Sequence, residues 1–200
     1  ISDRRHGDLS FLFALFASLL YDPHRDRQTT SLKFVSDRFR SVPMTTAYLN
    51  NEFIPLEEAR ISPMDRGFLF GDGIYEVIPS HGGRFVGLKL HLARLQRGLD
   101  EIQLELPVSY DELTTLMKTL VERNGSGSLG IYIQVTRGVS MTRNHVYPSD
   151  VTPTLFIYTF DIGKPNEGDP DTARLWRVVT GRDLRWQRCQ IKSTSLLGNV

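Results

Sequence analysis

The sequence is poor in cysteine, in long apolar runs and in excess charge of either sign. Its one cysteine, Cys189, excludes an intramolecular disulfide and fits a reducing, cytoplasmic compartment. No second thiol or obvious base neighbours it, so Cys189 reads as a small buried hydrophobe. No stretch approaches the roughly 20 apolar residues that span a bilayer, and no membrane partner is expected. A balance of 24 basic against 23 acidic residues leaves a net charge of +1, which gives no case for nucleic acid. Internal repeats and low-complexity segments are lacking, and no metal centre is expected. What is present is a 200-residue chain with 40% hydrophobic content, enough for one or two domains with a sizeable core.

Residues 1–43 stand apart from the rest. The apolar run Leu9–Leu20 follows Arg4 and Arg5, as in a secretory leader. No A-x-A cleavage site follows, and the next residues, YDPHRDRQ, are charged and turn-rich. A core helix accounts for the run as well as upstream sequence does; we read it as upstream of a start at Met44. The chain opens on Ile1 and stops eight residues after Lys192, and is expected to be a fragment.

From Met44 the pattern sharpens. Ala47–Leu56 predicts two short strands around Asn50-Asn51, a pair tolerant of left-handed turns. Gly67, Gly71 and Gly73 punctuate a loop feeding a strand at Ile74–Ile78. The GDG there belongs to no phosphate-loop pattern and predicts a tight turn with close backbone approach. Leu88, Leu92, Leu95, Leu99 and Ile102 keep helical spacing, predicting a helix over Leu88–Leu104. Ser109 and Glu112 form a capping box for a helix to about Arg123, ended by Asn124-Gly125. Leu129–Arg137 alternates as a strand, and Thr154–Thr159 predicts another. Phe160–Pro170 is the linker candidate, and Leu175–Thr180 predicts a strand of a second domain.

Several residues carry chemistry. Lys192 follows an extended run, Trp186–Ile191, and precedes Ser193, Thr194 and Ser195, which can cap a helix starting at Leu196 and Leu197. Desolvation at such a junction would lower a lysine pKa and free its lone pair for a carbonyl. Most lysines, however, are solvated charges. Tyr75 reads also as a strand aromatic in a core, and Arg94 as a solvated helix residue; Tyr132 faces away from Leu129, Ile131, Ile133 and Val135 on its strand. Arg143 and His145, two apart in the loop after Gly138, can point the same way and clamp a carboxylate.

Taken together, RWQRCQIKSTSLLG around Lys192, DRGFLFGDGIYEV around Tyr75, HLARL around Arg94 and the Arg143-x-His145 loop resemble class IV pyridoxal-phosphate aminotransferases, most of all the D-amino acid branch. The resemblance covers Thr45–Val200 in family order. It implies a two-domain α/β (α+β) fold of type IV, with a small N-terminal domain at 44–162, a linker at 163–170 and the start of the larger domain at 171–200. It implies pyridoxal 5'-phosphate on Lys192 as a Schiff base, with Arg94 on its phosphate. Tyr75, Tyr132, Arg143 and His145 would then line the substrate side. Amino acid and 2-oxo acid would be exchanged in a ping-pong cycle, in a homodimer whose R-x-H loop reaches the other subunit. The pyridine-nitrogen carboxylate and the rest of the phosphate cup lie beyond Val200 in the family, so the 200-residue chain alone is expected to be inactive. Branched-chain aminotransferases, aminodeoxychorismate lyases and amine transaminases share the fold and are alternatives. So is an inactive binding protein.

Overall fold

A computed structural model describes residues 45–164, 168, 171, 175, 177–180, 182, 183 and 185–199. The run Leu9–Leu20, the start at Met44 and part of the linker fall outside the described residues.

Strands β1 (Thr46–Leu49) and β2 (Glu52–Pro55) join through Asn50 and Asn51, at φ 45° and 76°. Asparagine tolerates that left-handed geometry, as the sequence predicts. Helix α1 (Arg66–Phe70) starts at Asp65, whose carboxylate accepts from the Gly67 N–H at 2.7 Å. The same carboxylate accepts from the Thr136 and Thr154 hydroxyls at 3.0 and 2.7 Å, tying α1 to the sheet. Gly71 ends it at φ 65°. A Cβ there would lie 2.2 Å from the Ser195 hydroxyl, so the glycine turn does allow the close backbone approach expected of it.

Strand β3 (Gly73–His81) outruns the predicted Ile74–Ile78, because all nine residues pair with β5 (Ser128–Thr136), from Gly73↔Thr136 to His81↔Ser128. β4 (Arg84–Phe85) turns back against β3, and β6 (Thr154–Asp161) pairs β5 with β1. The sheet order is β2-β1-β6-β5-β3-β4, antiparallel throughout.

Helices α2 (Leu88–Glu101) and α3 (Tyr110–Asn124) pack on one face, giving the mixed α/β architecture expected. Ile74, Ile78, Ile131, Ile133, Val135, Leu155 and Ile157 meet Leu95, Leu99, Leu113, Met117 and Leu120 in one core. Each such side chain contributes about 1.5–3 kcal/mol on full burial. α2 stops short of the predicted Leu104, since Gln103 takes φ 51° and the Leu104 N–H closes on the Leu99 carbonyl. Ser109 caps α3 as predicted, accepting from the Glu112 N–H at 3.1 Å. At the other end, the Asn124 side chain accepts from the Thr46 N–H and donates to the Thr46 carbonyl and the Thr159 hydroxyl, each at 2.8 Å.

The sheet's other face carries aromatics. Tyr75, Gln134 and Phe156 lie in register across β3, β5 and β6, as do Val77, Tyr132 and Tyr158. Tyr75 stacks on Tyr132 at 5.6 Å, and Tyr132 meets Tyr158 at 5.1 Å.

The region before Lys192 departs from expectation. Residues 175 and 177–180 form no strand, and Leu175, Val178 and Val179 are exposed. No described strand pairs with them, and an unpaired strand leaves its backbone groups to water. Residues 187–190 form a turn instead of an extended run, with the Ile191 N–H on the Arg188 carbonyl at 3.0 Å. That turn exposes Cys189, predicted to be buried; its thiol donates to the Trp186 carbonyl. A single 3₁₀ turn, Leu197–Asn199, stands where a capped helix was expected.

Candidate active site

The serine–threonine run after Lys192 is used differently from a cap. The N-terminal edge of β3 beyond β4 is open, and residues 192–194 add to it. The Tyr75 N–H donates to the Lys192 carbonyl, and the Thr194 N–H to the Gly73 carbonyl, both at 3.0 Å. Ser193 bridges Ile74 antiparallel, and the Thr194 and Ser195 hydroxyls donate to the Gly71 carbonyl at 3.0 and 3.3 Å. Ile191, 6% exposed, is buried in the core alongside. One apolar anchor and two main-chain bonds thus fix the backbone on which Lys192 sits. Its Nζ lies 3.8 Å above the Tyr75 ring centroid, a cation–π distance.

Around it opens a cleft of about 380 Å³, lined by Tyr75, Arg94, Arg185, Trp186, Lys192 and Ser195, among others. Three cationic side chains on its wall suit an anionic ligand. The larger hollow, about 520 Å³ beside Asn50 and Asp150, lacks such a set and lies away from these groups. Tyr132, one ring further along, donates from its hydroxyl to Gln134 Oε1 at 2.7 Å. Burial pushes its phenol up to about 12, with Tyr158 and Tyr75 adding to the shift.

Arg94 reaches the cleft from α2, but its side edge is already engaged. Glu76, on the core face of β3 and 0% exposed, accepts from Arg94 Nε at 2.5 Å and Nη2 at 2.8 Å. His91 Nδ1 lies 2.9 Å from the same carboxylate. Burial alone would raise the Glu76 carboxyl; bonds and charge from Arg94 and His91 outweigh it, and the group lies below its ordinary value. The same bond raises Arg94. A phosphate would therefore meet the end of the guanidinium, since Glu76 holds the Nε side. Sequence reasoning passed over Glu76. The signal was there: Ile74, Glu76, Ile78 and Ser80 share the buried parity of β3, and a charge at that parity needs a partner.

Arg143 and His145 come together on another element. Both flank the Phe70 ring, Arg143 at 5.1 Å and His145 at 5.4 Å. His145, Phe70, Trp186, Ser193 and Ser195 line a second hollow, so the lysine segment runs between the two recesses. Beneath the loop, Asp72 accepts from Arg66 at 2.8 Å and from Arg137 at 2.9 and 3.1 Å. None of these three was singled out in the sequence.

Comparison with known proteins gives the family. The family model for class IV amino-transferases matches residues 73–200. The chain belongs to the class IV aminotransferases. The chain is similar to a D-alanine aminotransferase of Staphylococcus epidermidis, 40% identical over 158 residues, covering 78% of this chain and 55% of that protein. A D-alanine aminotransferase of Staphylococcus aureus strain N315 is 42% identical over the same coverage. Among solved structures, a branched-chain amino acid aminotransferase from Escherichia coli superposes at a TM-score of 0.54. It is 20% identical, over 64% of this chain and 47% of that one. That likeness shows the fold. This class IV chain spans about half the length of the curated relatives it matches.

Proposed function

We propose that the protein carrying this sequence transfers amino groups from D-amino acids of the D-alanine type to a 2-oxo acid, using pyridoxal 5'-phosphate. The observation that carries the reading is Lys192 Nζ over Tyr75, in a cleft walled by Arg94 and Arg185. Those donors fit the group: an amine for its aldehyde and guanidinium for its phosphate. When bound, pyridoxal phosphate supplies the electron sink for the reaction.

The chain's own residues do the rest. Lys192 holds the cofactor and, once freed, takes the proton from the substrate Cα as a general base. Arg94, its charge and direction held by Glu76, offers its free end to phosphate. Tyr75 and Tyr132 wall the substrate side, the Tyr132 hydroxyl held by its bond to Gln134. Arg143 and His145 take the α-carboxylate by charge-assisted bonds. Which side of the substrate that pair grips sets the handedness accepted. We place the work in a cytoplasmic homodimer, each R-x-H loop serving the partner's cleft. The domain limits proposed are 44–162 and 171–200, joined by 163–170.

The test uses the full reading frame that contains this sequence, purified with pyridoxal phosphate. Its visible absorption band is followed as D-alanine or L-alanine is added, with Lys192→Ala alongside. We expect the band to bleach with the D-isomer and to be absent in Lys192→Ala. Bleaching by L-amino acids alone would move the function to the branched-chain side. An unchanged band in Lys192→Ala would remove Lys192 from the chemistry.

A further inference from the structure

The Arg143–His145 pair sits on a loop whose residues are mostly exposed, yet binding a carboxylate between two side chains demands a fixed geometry. The base of that loop is anchored on α1 and the residues before it. The Arg66 N–H donates to the Gly138 carbonyl at 2.9 Å, the Ser140 N–H to the Met64 carbonyl at 3.2 Å, and Asp65 bridges Val139. The tip is held from below by the buried Arg66 side chain, which donates to the Asn144 carbonyl at 2.6 Å and reaches the His145 carbonyl at 3.5 Å. Asp72 fixes that guanidinium at 2.8 Å.

These bonds set the backbone and leave the two functional side chains undetermined. What both share is one ring. Phe70, the last residue of α1, has Arg143 Cζ 5.1 Å from its centroid, the His145 ring at 5.4 Å and 49°, and Arg66 Cζ at 4.8 Å. An aromatic face attracts a guanidinium and packs an imidazole, and loses neither interaction when a carboxylate arrives on their outer side.

We propose that Phe70 is a positioning residue for the substrate carboxylate, its ring the common seat that presents Arg143 and His145 together. The inference rests on the carboxylate role given to that pair above. It assigns Phe70 no contact with substrate or cofactor. Loss of the ring weakens substrate binding while the chemistry at Lys192 proceeds as before.

The experiment compares Phe70→Leu, Phe70→Met and Phe70→Tyr with the parent in the full reading frame, alongside Arg143→Ala and His145→Ala. Measurements are KM and kcat for the amino acid and the visible absorption of the cofactor-loaded protein. Two ringless variants guard against poor recovery of either. We expect KM to rise about fivefold to tenfold in both, on the scale of lost cation–π contacts, with kcat at saturation within about twofold. The tyrosine variant should recover most of the affinity, and absorption should match the parent in all three. Equal KM in the ringless variants, while Arg143→Ala raises it, overturns the role of Phe70 alone. Unchanged KM in both Arg143→Ala and His145→Ala overturns the carboxylate reading instead. A fall in kcat with an altered absorption band would make Phe70 merely structural and would also overturn the proposal.

Discussion

Asp72, just before β3, and Glu76, inside it, each hold two basic side chains, yet the two clusters differ in what they leave to solvent. Arg66 and Arg137, on Asp72, are 3% and 4% exposed. Their remaining donors go to protein carbonyls: Asn144 for Arg66, and Ile102 and Gln103 for Arg137. Arg137 also lies 3.6 Å over the Tyr147 ring. That cluster is a joint, binding α1, the end of α2 and the Arg143–His145 loop. On Glu76, by contrast, Arg94 keeps 44% of its side chain exposed and lines a cleft. The carboxylate there is fully buried and its guanidinium is presented outward. The difference is that the open pair leaves a charged group available to a ligand, the role proposed for Arg94, whereas the sealed pair leaves none.

Breaking the sealed cluster should cost most. Asp72→Asn leaves two buried guanidinium groups with no carboxylate, and we expect a loss of about 3–5 kcal/mol in denaturant unfolding. An equal stability would undo the distinction between joint and binding group. Glu76→Gln should cost less, about 1–3 kcal/mol, because Arg94 can turn to water. Its signature is in the pH dependence. The folded Glu76 carboxyl lies below its ordinary 4.5, so its contribution is complete above about pH 4.5 and is lost as pH falls through the lower folded value. Parent stability should therefore drop on acidification below that pH, and the glutamine variant should drop less; parallel curves would show that Glu76 does not carry the dependence. Smallest is His91→Ala, which removes the weaker partner of Glu76 and should cost about 0.5–1.5 kcal/mol, read from the same unfolding midpoints.

Local signals made much of the fold legible. The Asn50-Asn51 turn, the Ser109 cap and the alternation of β5 were all readable, because each depends on residues close in sequence. The lysine segment was not. Its capping-like Ser193–Ser195 run is consumed by the open edge of β3, more than a hundred residues away in sequence, and no local pattern records a free edge. The same limit hid both carboxylate clusters: Arg94 lies 18 residues from Glu76, and Arg137 lies 65 from Asp72. Resemblance to the class IV family did single out Lys192, Tyr75 and Arg94, which share one cleft, and Arg143 with His145, which share one ring.

The docking of residues 192–194 on β3 has a consequence for how this site can change. Its main-chain bonds involve the N–H of Tyr75 and Thr194 and the carbonyls of Gly73 and Lys192, groups that every residue type except proline supplies. Position 192 is thus an address set by the backbone, and the side chain there is its interchangeable occupant. Replacing Lys192 would remove the amine proposed to hold the cofactor and leave each of these main-chain bonds available.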